Sequence, residues 1–209
     1  MRYLIPALLL QLVLAGCIKR HNDPRPVGDN SFSKAMGFKK GCYWVYQLYR
    51  IDTTGKEIMY TTVTDSCYVE KDTTIDGKVY FKYVEPNTTH YWRDSLDNIV
   101  SNEGEVIFSN NNFTDTFVQK PYTDNVMMYR KMTDRDLRVG APVDSFETKT
   151  MQTIFYHTPA AGGYYAGKNR YMNVRFANQS GIIIQTIQLG DYYDYERRLV
   201  RYNAMMVFP

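Results

Sequence analysis

The chain has 209 residues, enough for one domain with a sizeable core. Its 25 Lys and Arg against 22 Asp and Glu leave a formal charge of +3, too balanced for a protein that binds nucleic acid through phosphate contacts. Aromatic residues make up 15%, with 19 Tyr and 10 Phe but 2 Trp, a bias toward strands, where wide flat side chains pair across neighbours.

Met1 and Arg2 open the chain, and Leu4 to Leu14 is an apolar run broken at Pro6 and Gln11. That run has signal-peptide length and falls short of the roughly 20 residues that span a bilayer. It ends in Leu14-Ala15-Gly16-Cys17, which is similar to the lipobox of bacterial lipoprotein precursors at all four positions. The resemblance implies a diacylglyceryl group on the Cys17 thiol and cleavage between Gly16 and Cys17. A thiolate is nucleophilic enough to take the lipid, and small Ala15 and Gly16 admit the bond to a narrow protease site. Acyl chains contribute about 0.8 kcal/mol per buried CH₂, so two or three would anchor the protein to a membrane almost irreversibly.

The sequence thus divides into a signal segment 1–16, a lipidated tether 17–30 and a folded part 31–209. The tether carries Pro24, Pro26 and Gly28 and shows no periodicity; extended at about 3.1 Å per residue it reaches up to roughly 40 Å. Its Lys19, Arg20 and Arg25 suit either anionic headgroups or a plain solvated linker.

From Phe32 onward the pattern is β. Cys42–Asp52 and Lys56–Lys71 are aromatic and β-branched runs with Thr53-Thr54-Gly55 between them. Asp76-Gly77 is the strongest short hairpin signal. Tyr91–Asp94 and Ile99–Ser101 flank a turn, and Asn102-Glu103-Gly104 suits a three-residue hairpin loop with Gly left-handed. Further runs are Phe113–Gln119, Val126–Met132, Val143–Tyr156, Lys168–Ala177, Gly181–Leu189 and Glu196–Phe208. In the last, Val200, Tyr202, Ala204, Met206 and Phe208 alternate onto one face, with Arg197, Arg201 and Asn203 on the other. Ser31–Lys40 and Asp134–Arg138 suit short helical turns. The expectation is one antiparallel meander of about ten strands, closed as a lipocalin-like barrel or folded as a sandwich.

Cys42 and Cys67 remain after lipidation, in a compartment where a disulfide persists. A two-residue turn at Thr54-Gly55 places them directly opposite on one face; a three-residue loop shifts the register by one. The alternative is two small buried thiols. His21, His90 and His157 have no ligand spacing among themselves or with a cysteine pair, which points away from a metal site or cofactor. No nucleophile-elbow sequence marks a catalytic serine. Tyr164, Tyr165, Tyr192, Tyr193 and Tyr195 are candidate ligand contacts on exposed turns, against the alternative of cross-strand packing.

The stretches Gly41-Cys42-Tyr43-Trp44-Val45-Tyr46, Asp76-Gly77-Lys78-Val79-Tyr80 and Tyr91-Trp92-Arg93-Asp94-Ser95, with the ending Tyr195–Asn203, resemble uncharacterised lipoproteins of Bacteroidetes-type bacteria. The resemblance implies an outer-membrane home and supplies no activity. Ile18 stands where an inner-membrane retention Asp would be, and Lys19-Arg20 stands where a surface-export signal would be acidic, which favours a periplasm-facing lipoprotein. Asp-Thr-Thr at 52–54 and 72–74 and Asp-Ser-Leu at 94–96 are similar to the short O-glycosylation sequon of such bacteria; Thr53, Thr73 and Ser95 would be the acceptors, while ordinary turn chemistry accounts for the same triplets. The function expected is a non-catalytic binding or envelope-assembly module with a glycan, lipid or envelope-protein partner. A small envelope hydrolase with a hidden site and a lipid or small-ligand carrier are the alternatives.

Overall fold

The computed structural model describes residues 37–52, 56–190 and 193–203, and of residues 58–60 the backbone alone. The lipobox with Cys17, the tether and His21 lie outside the described residues, as do Thr53, Tyr192 and residues 204–209.

Among the described residues, thirteen strands form an antiparallel sheet that curls into a nearly closed barrel. Beginning at β1 (Tyr43–Asp52), one arm runs through β2 (Glu57–Ile75), β3 (Lys78–Glu85), β4 (Thr88–Ser95), β5 (Asn98–Ser101) and β6 (Val106–Ser109). The other begins with β13 (Tyr193–Asn203) on the opposite edge of β1. It continues through β12 (Gly181–Leu189), β11 (Asn169–Ala177), β10 (Ser145–His157), β8 (Val126–Met132) and β7 (Thr116–Thr123). Short β9 (Leu137–Gly140) pairs with the start of β10. It occupies part of the segment expected as a helical turn at Asp134–Arg138, because Thr133 and Asp134 bond to Thr150 and carry the chain along the same edge.

The turns follow the sequence signals closely. Asp76 and Gly77 have φ of 48° and 73°, the paired left-handed geometry of a two-residue hairpin, and Gly104 has φ 85° with its N–H on the Ser101 carbonyl. The β4–β5 turn uses Leu96 at φ 56°, a strained choice that no sequence signal announces.

One end of the barrel is filled with rings. Phe38, just before β1, lies 5.4 to 6.5 Å from the rings of Trp44, Phe81, Tyr83, Trp92 and Phe176. Trp44 Nε1 donates to the Ser180 carbonyl at 2.6 Å, and the indole presses on Gly181, where an added Cβ would come within 2.9 Å. With φ 75° as well, position 181 accepts glycine alone.

Two expectations are corrected by bulges. Tyr49 pairs with Tyr60 and Arg50 with Met59, as expected, but next to the turn Ile51 faces Glu57, one residue off, and a bulge between Gln47 and Tyr49 slips the rest by two residues. Trp44 therefore faces Cys67, while the Val69 N–H bonds to the Cys42 carbonyl. Cys42 and Cys67 are free, fully buried thiols and form no bridge. In β13 the shift falls against Val45 and Tyr46 of β1, whose partners are Arg201 and Leu199. Leu199 and Arg197 point inward and Val200 is skipped, so the predicted alternation is out of phase over its first half. Arg197, expected on the solvent face, is 2% exposed.

That buried guanidinium is fully engaged. Its Nη2 lies 2.9 Å from Glu85 Oε2, Nε and Nη2 donate to Gln185 Oε1, and the group sits 5.0 Å above the Tyr46 ring. The Tyr46 hydroxyl donates to the Ile182 carbonyl. Burial raises Tyr46 and Tyr83 well above their ordinary values and pushes the Cys67 thiol up to about 11, so all three stay neutral around Arg197.

The two ends of the sheet meet through side chains. Glu105, just before β6, holds Lys120 of β7 at 2.5 Å and Arg130 of β8 at 3.1 Å, and Lys149 of β10 donates to the Asn110 carbonyl. The hydrogen bond from Lys120, then the charges of Arg130 and Lys120, hold the Glu105 carboxyl below its ordinary value despite partial burial.

Arg197→Met is expected to lower the unfolding free energy by about 3 kcal/mol in urea titrations, because it strands the half-buried carboxylate of Glu85; adding Glu85→Gln should recover part of the loss. The two thiols should resist Ellman's reagent until the protein unfolds, and a reductant should leave the melting temperature unchanged. Because the folded value of Glu105 lies below the unfolded one, its stabilisation is complete above 4.5 and is lost as pH falls through the folded value. Glu105→Gln should therefore flatten the acid limb of the curve of urea midpoint against pH.

Candidate functional site

Strand alternation sends every second residue of β11, β12 and β13 to the face away from the ring-filled core. On that face a groove of about 670 Å³ is lined by Asn169, Tyr171, Asn173 and Arg175 of β11, Ile184 and Thr186 of β12, and Asp194, Glu196 and Arg198 of β13. Ile51 and Asp52 close it from β1, Val139 and Gly140 from β9, and Tyr165 from the β10–β11 loop. The register sets these residues in rows. Arg175 pairs with Ile184 and Ile184 with Arg198; Thr186 pairs with Glu196; Ile51 pairs with Asp194.

The charges are interleaved. Asp194 Oδ1 accepts from Arg170 Nη2 at 2.5 Å and from the Gly190 N–H at 3.3 Å. Glu196 Oε1 accepts from Arg198 Nε at 2.7 Å, and Arg198 Nη1 reaches Glu57 Oε2 at 2.7 Å. Burial opposes the Arg198 charge, but Glu196 and Glu57 more than offset it and raise that group above its ordinary value. Arg175 Nη1 stands 4.0 Å from Glu196 Oε2, a long pair, and its buried Nε has no hydrogen-bond partner. Two rings frame the groove. Tyr165 carries the Arg170 guanidinium 4.4 Å from its centroid, while Tyr171 is 45% exposed and open to stacking.

The tyrosines singled out by sequence separate into different places. Tyr165 lines the groove; Tyr164, 70% exposed, stands edge-on to it with Lys168 over its ring. Tyr193 and Tyr195 project to the other face of β13 from Asp194 and Glu196, with Arg50 lying 3.6 Å over Tyr193. Thr73 is half-buried in β2 opposite Tyr80, and Ser95 is half-buried at the β4–β5 hairpin. The residues sequence reasoning missed are Tyr171, Arg175, Asp194, Glu196 and Arg198. Their signal is the two-residue period of polar side chains in Asn169–Arg175 and Asp194–Arg198, easily taken for an ordinary solvated face.

His90 stacks on Trp92 and Tyr83 with Nε2 3.6 Å from Glu85. Burial, reinforced by Arg197, holds its imidazole below the ordinary value against the pull of Glu85. His157 lies beside Tyr165 at the rim of a smaller pocket of about 390 Å³, walled by Tyr122, Val126, Phe155, Met172 and Leu189. Among the described residues, no three His, Cys, Asp or Glu side chains gather as a metal-binding set.

No family model matches the chain, and no curated protein matches it. Among solved structures, it is similar to a protein from Bacteroides fragilis NCTC 9343 described as exported, with a YmcC-like fold: TM-score 0.46 and 10% identity over 79% of this chain and 96% of that one. It is also similar to a protein from Parabacteroides distasonis ATCC 8503 described as a lipoprotein: TM-score 0.40 and 13% identity over 79% of this chain and 96% of that one.

Proposed function

We propose that this protein is a non-catalytic, lipid-anchored envelope protein that binds a glycan in the groove over β1 and β11–β13. The observation that carries the reading is the composition of the groove wall. Asp194, Glu196, Asn169 and Asn173 offer acceptors and amides at the spacing of a strand, and the open face of Tyr171 offers a stacking platform. A sugar presents hydroxyls around its rim and C–H bonds on its face, and these two surfaces meet such a wall together. The ring-filled end of the barrel leaves the aromatic residues there as packing. The lipobox at Leu14–Cys17 supports anchoring through Cys17, and Ile18-Lys19-Arg20 supports an outer-membrane, periplasm-facing location.

A second reading, a carrier for a small apolar ligand, is favoured by the 390 Å³ pocket, whose walls are largely apolar with Arg170 and His157 at its edge. Competition for the protein between envelope glycans and short-chain amphiphiles separates the two.

Cys17→Ser should leave an unprocessed, non-acylated precursor; mass spectrometry finding the wild-type N-terminus elsewhere, with Cys17 unmodified, would remove the anchor. Tyr171→Ala should weaken glycan binding about 3- to 10-fold, the size of one lost ring contact of roughly 0.5–1.5 kcal/mol, at unchanged melting temperature. Failure of every envelope glycan to bind in calorimetry would overturn the groove reading.

A further inference from the structure

Among the described residues that line the groove, Arg175 is the guanidinium that the protein leaves under-bonded. Arg170 and Arg198 each hold a carboxylate within hydrogen-bond distance, and Glu196 is already engaged by Arg198. Arg175 has the 4.0 Å approach to Glu196 and an Nε–H that is buried without a partner. Directly across the β10–β11 ladder stands Thr150, 2% exposed, whose hydroxyl is also buried without a partner. Residues directly opposite in a ladder share a face, so Thr150 stands beside Arg175, behind the groove wall that Arg175 lines. Buried polar atoms without partners are scarce in folded proteins, and each one calls for a cause.

We propose that Arg175, supported by Thr150, forms an anion subsite of the groove, and that the ligand is a sugar bearing a carboxylate. The proposal rests on the glycan reading of the groove and names the acidic group that reading leaves open. A planar carboxylate matches an edge of a guanidinium with two parallel hydrogen bonds. A dianion such as phosphate fits less well, because Glu196 stands 4.0 Å from the same guanidinium and Asp194 lines the same groove. One positive charge with acidic neighbours suits a single negative charge. The sugar ring then extends along the strands toward Asn173 and Tyr171, which follow Arg175 at every second position of β11.

The test uses the full mature chain and matched pairs of glycans: uronate-, muramate- and sialate-containing oligosaccharides, each beside its carboxyl-reduced counterpart. The acidic member of at least one pair should bind about 10- to 100-fold tighter, the range of a charge-assisted hydrogen-bond pair. Arg175→Gln and Arg175→Lys should each abolish that preference, so that both members of a pair bind equally. Thr150→Val, which keeps the shape and the backbone bonds of the ladder, should diminish the preference. Equal binding of both members in every pair would overturn the anion subsite and leave the groove reading standing; no binding to any glycan would overturn both. Phosphate competing as well as free glucuronate would overturn the choice of a carboxylate. A preference untouched by either substitution at Arg175 would assign the two unsatisfied groups to an ordered water only.

Discussion

The pairing of β1 with β13 is the joint on which the rest of the molecule depends. Every other neighbour in the sheet is a strand adjacent in sequence, apart from β8 and β10, which lie either side of short β9. Two local ladders are thus built by hairpins and united by one strand pairing between the beginning and end of the domain. Closing a loop of about 150 residues costs on the order of 4 kcal/mol in chain entropy before any contact rewards it. The inward face of that joint repays it with Trp44, Tyr46 and Leu199, and with Arg197, whose charge is shared by Glu85 from the other arm. The outward face of the same joint supplies Ile51, Asp194, Glu196 and Arg198 to the groove, and Asp52 borders it at the strand end. Site and fold therefore stand or fall together.

Charge is distributed by consequence rather than by exposure. Arg197 is surrounded by neutralising and hydrogen-bonding partners, as a buried cation must be. Arg198, its neighbour in sequence, points the opposite way and also holds two carboxylates. Arg175 sits in the same row of the sheet as Arg198 but lacks such partners. The contrast within one row identifies where the protein withholds its own groups from a charge.

Much of the architecture was legible in the residues. Asp76-Gly77 and Gly104 each mark a hairpin through backbone angles that few other residues adopt, and the aromatic runs mark the strands. The cysteine register and the facing of β13 were not legible, because a two-residue period cannot report a slip of two residues and loses its phase where a bulge adds one. Both errors trace to bulges in or against β1, and nothing in Gln47-Leu48-Tyr49 or Leu199-Val200-Arg201 announces them. The groove was hidden for another reason. Its polar residues are those of any wetted strand face, and only the register shows that Arg175, Ile184 and Arg198 fall in line.

The entry of the chain into the barrel has a mechanical consequence. Gly37 and Phe38 are clamped at the ring-filled end, where the Gln179 carbonyl would come within 2.7 Å of any Cβ at position 37, and β1 then runs the length of the sheet to Asp52 in the groove. A pull arriving through Gly37 and resisted by something held near Asp52 acts along β1. The hydrogen bonds on both of its edges lie across that direction, so they share the load in shear and yield together rather than peeling one by one. A strand placed between two antiparallel partners is the strongest place in such a sheet to tie a rope.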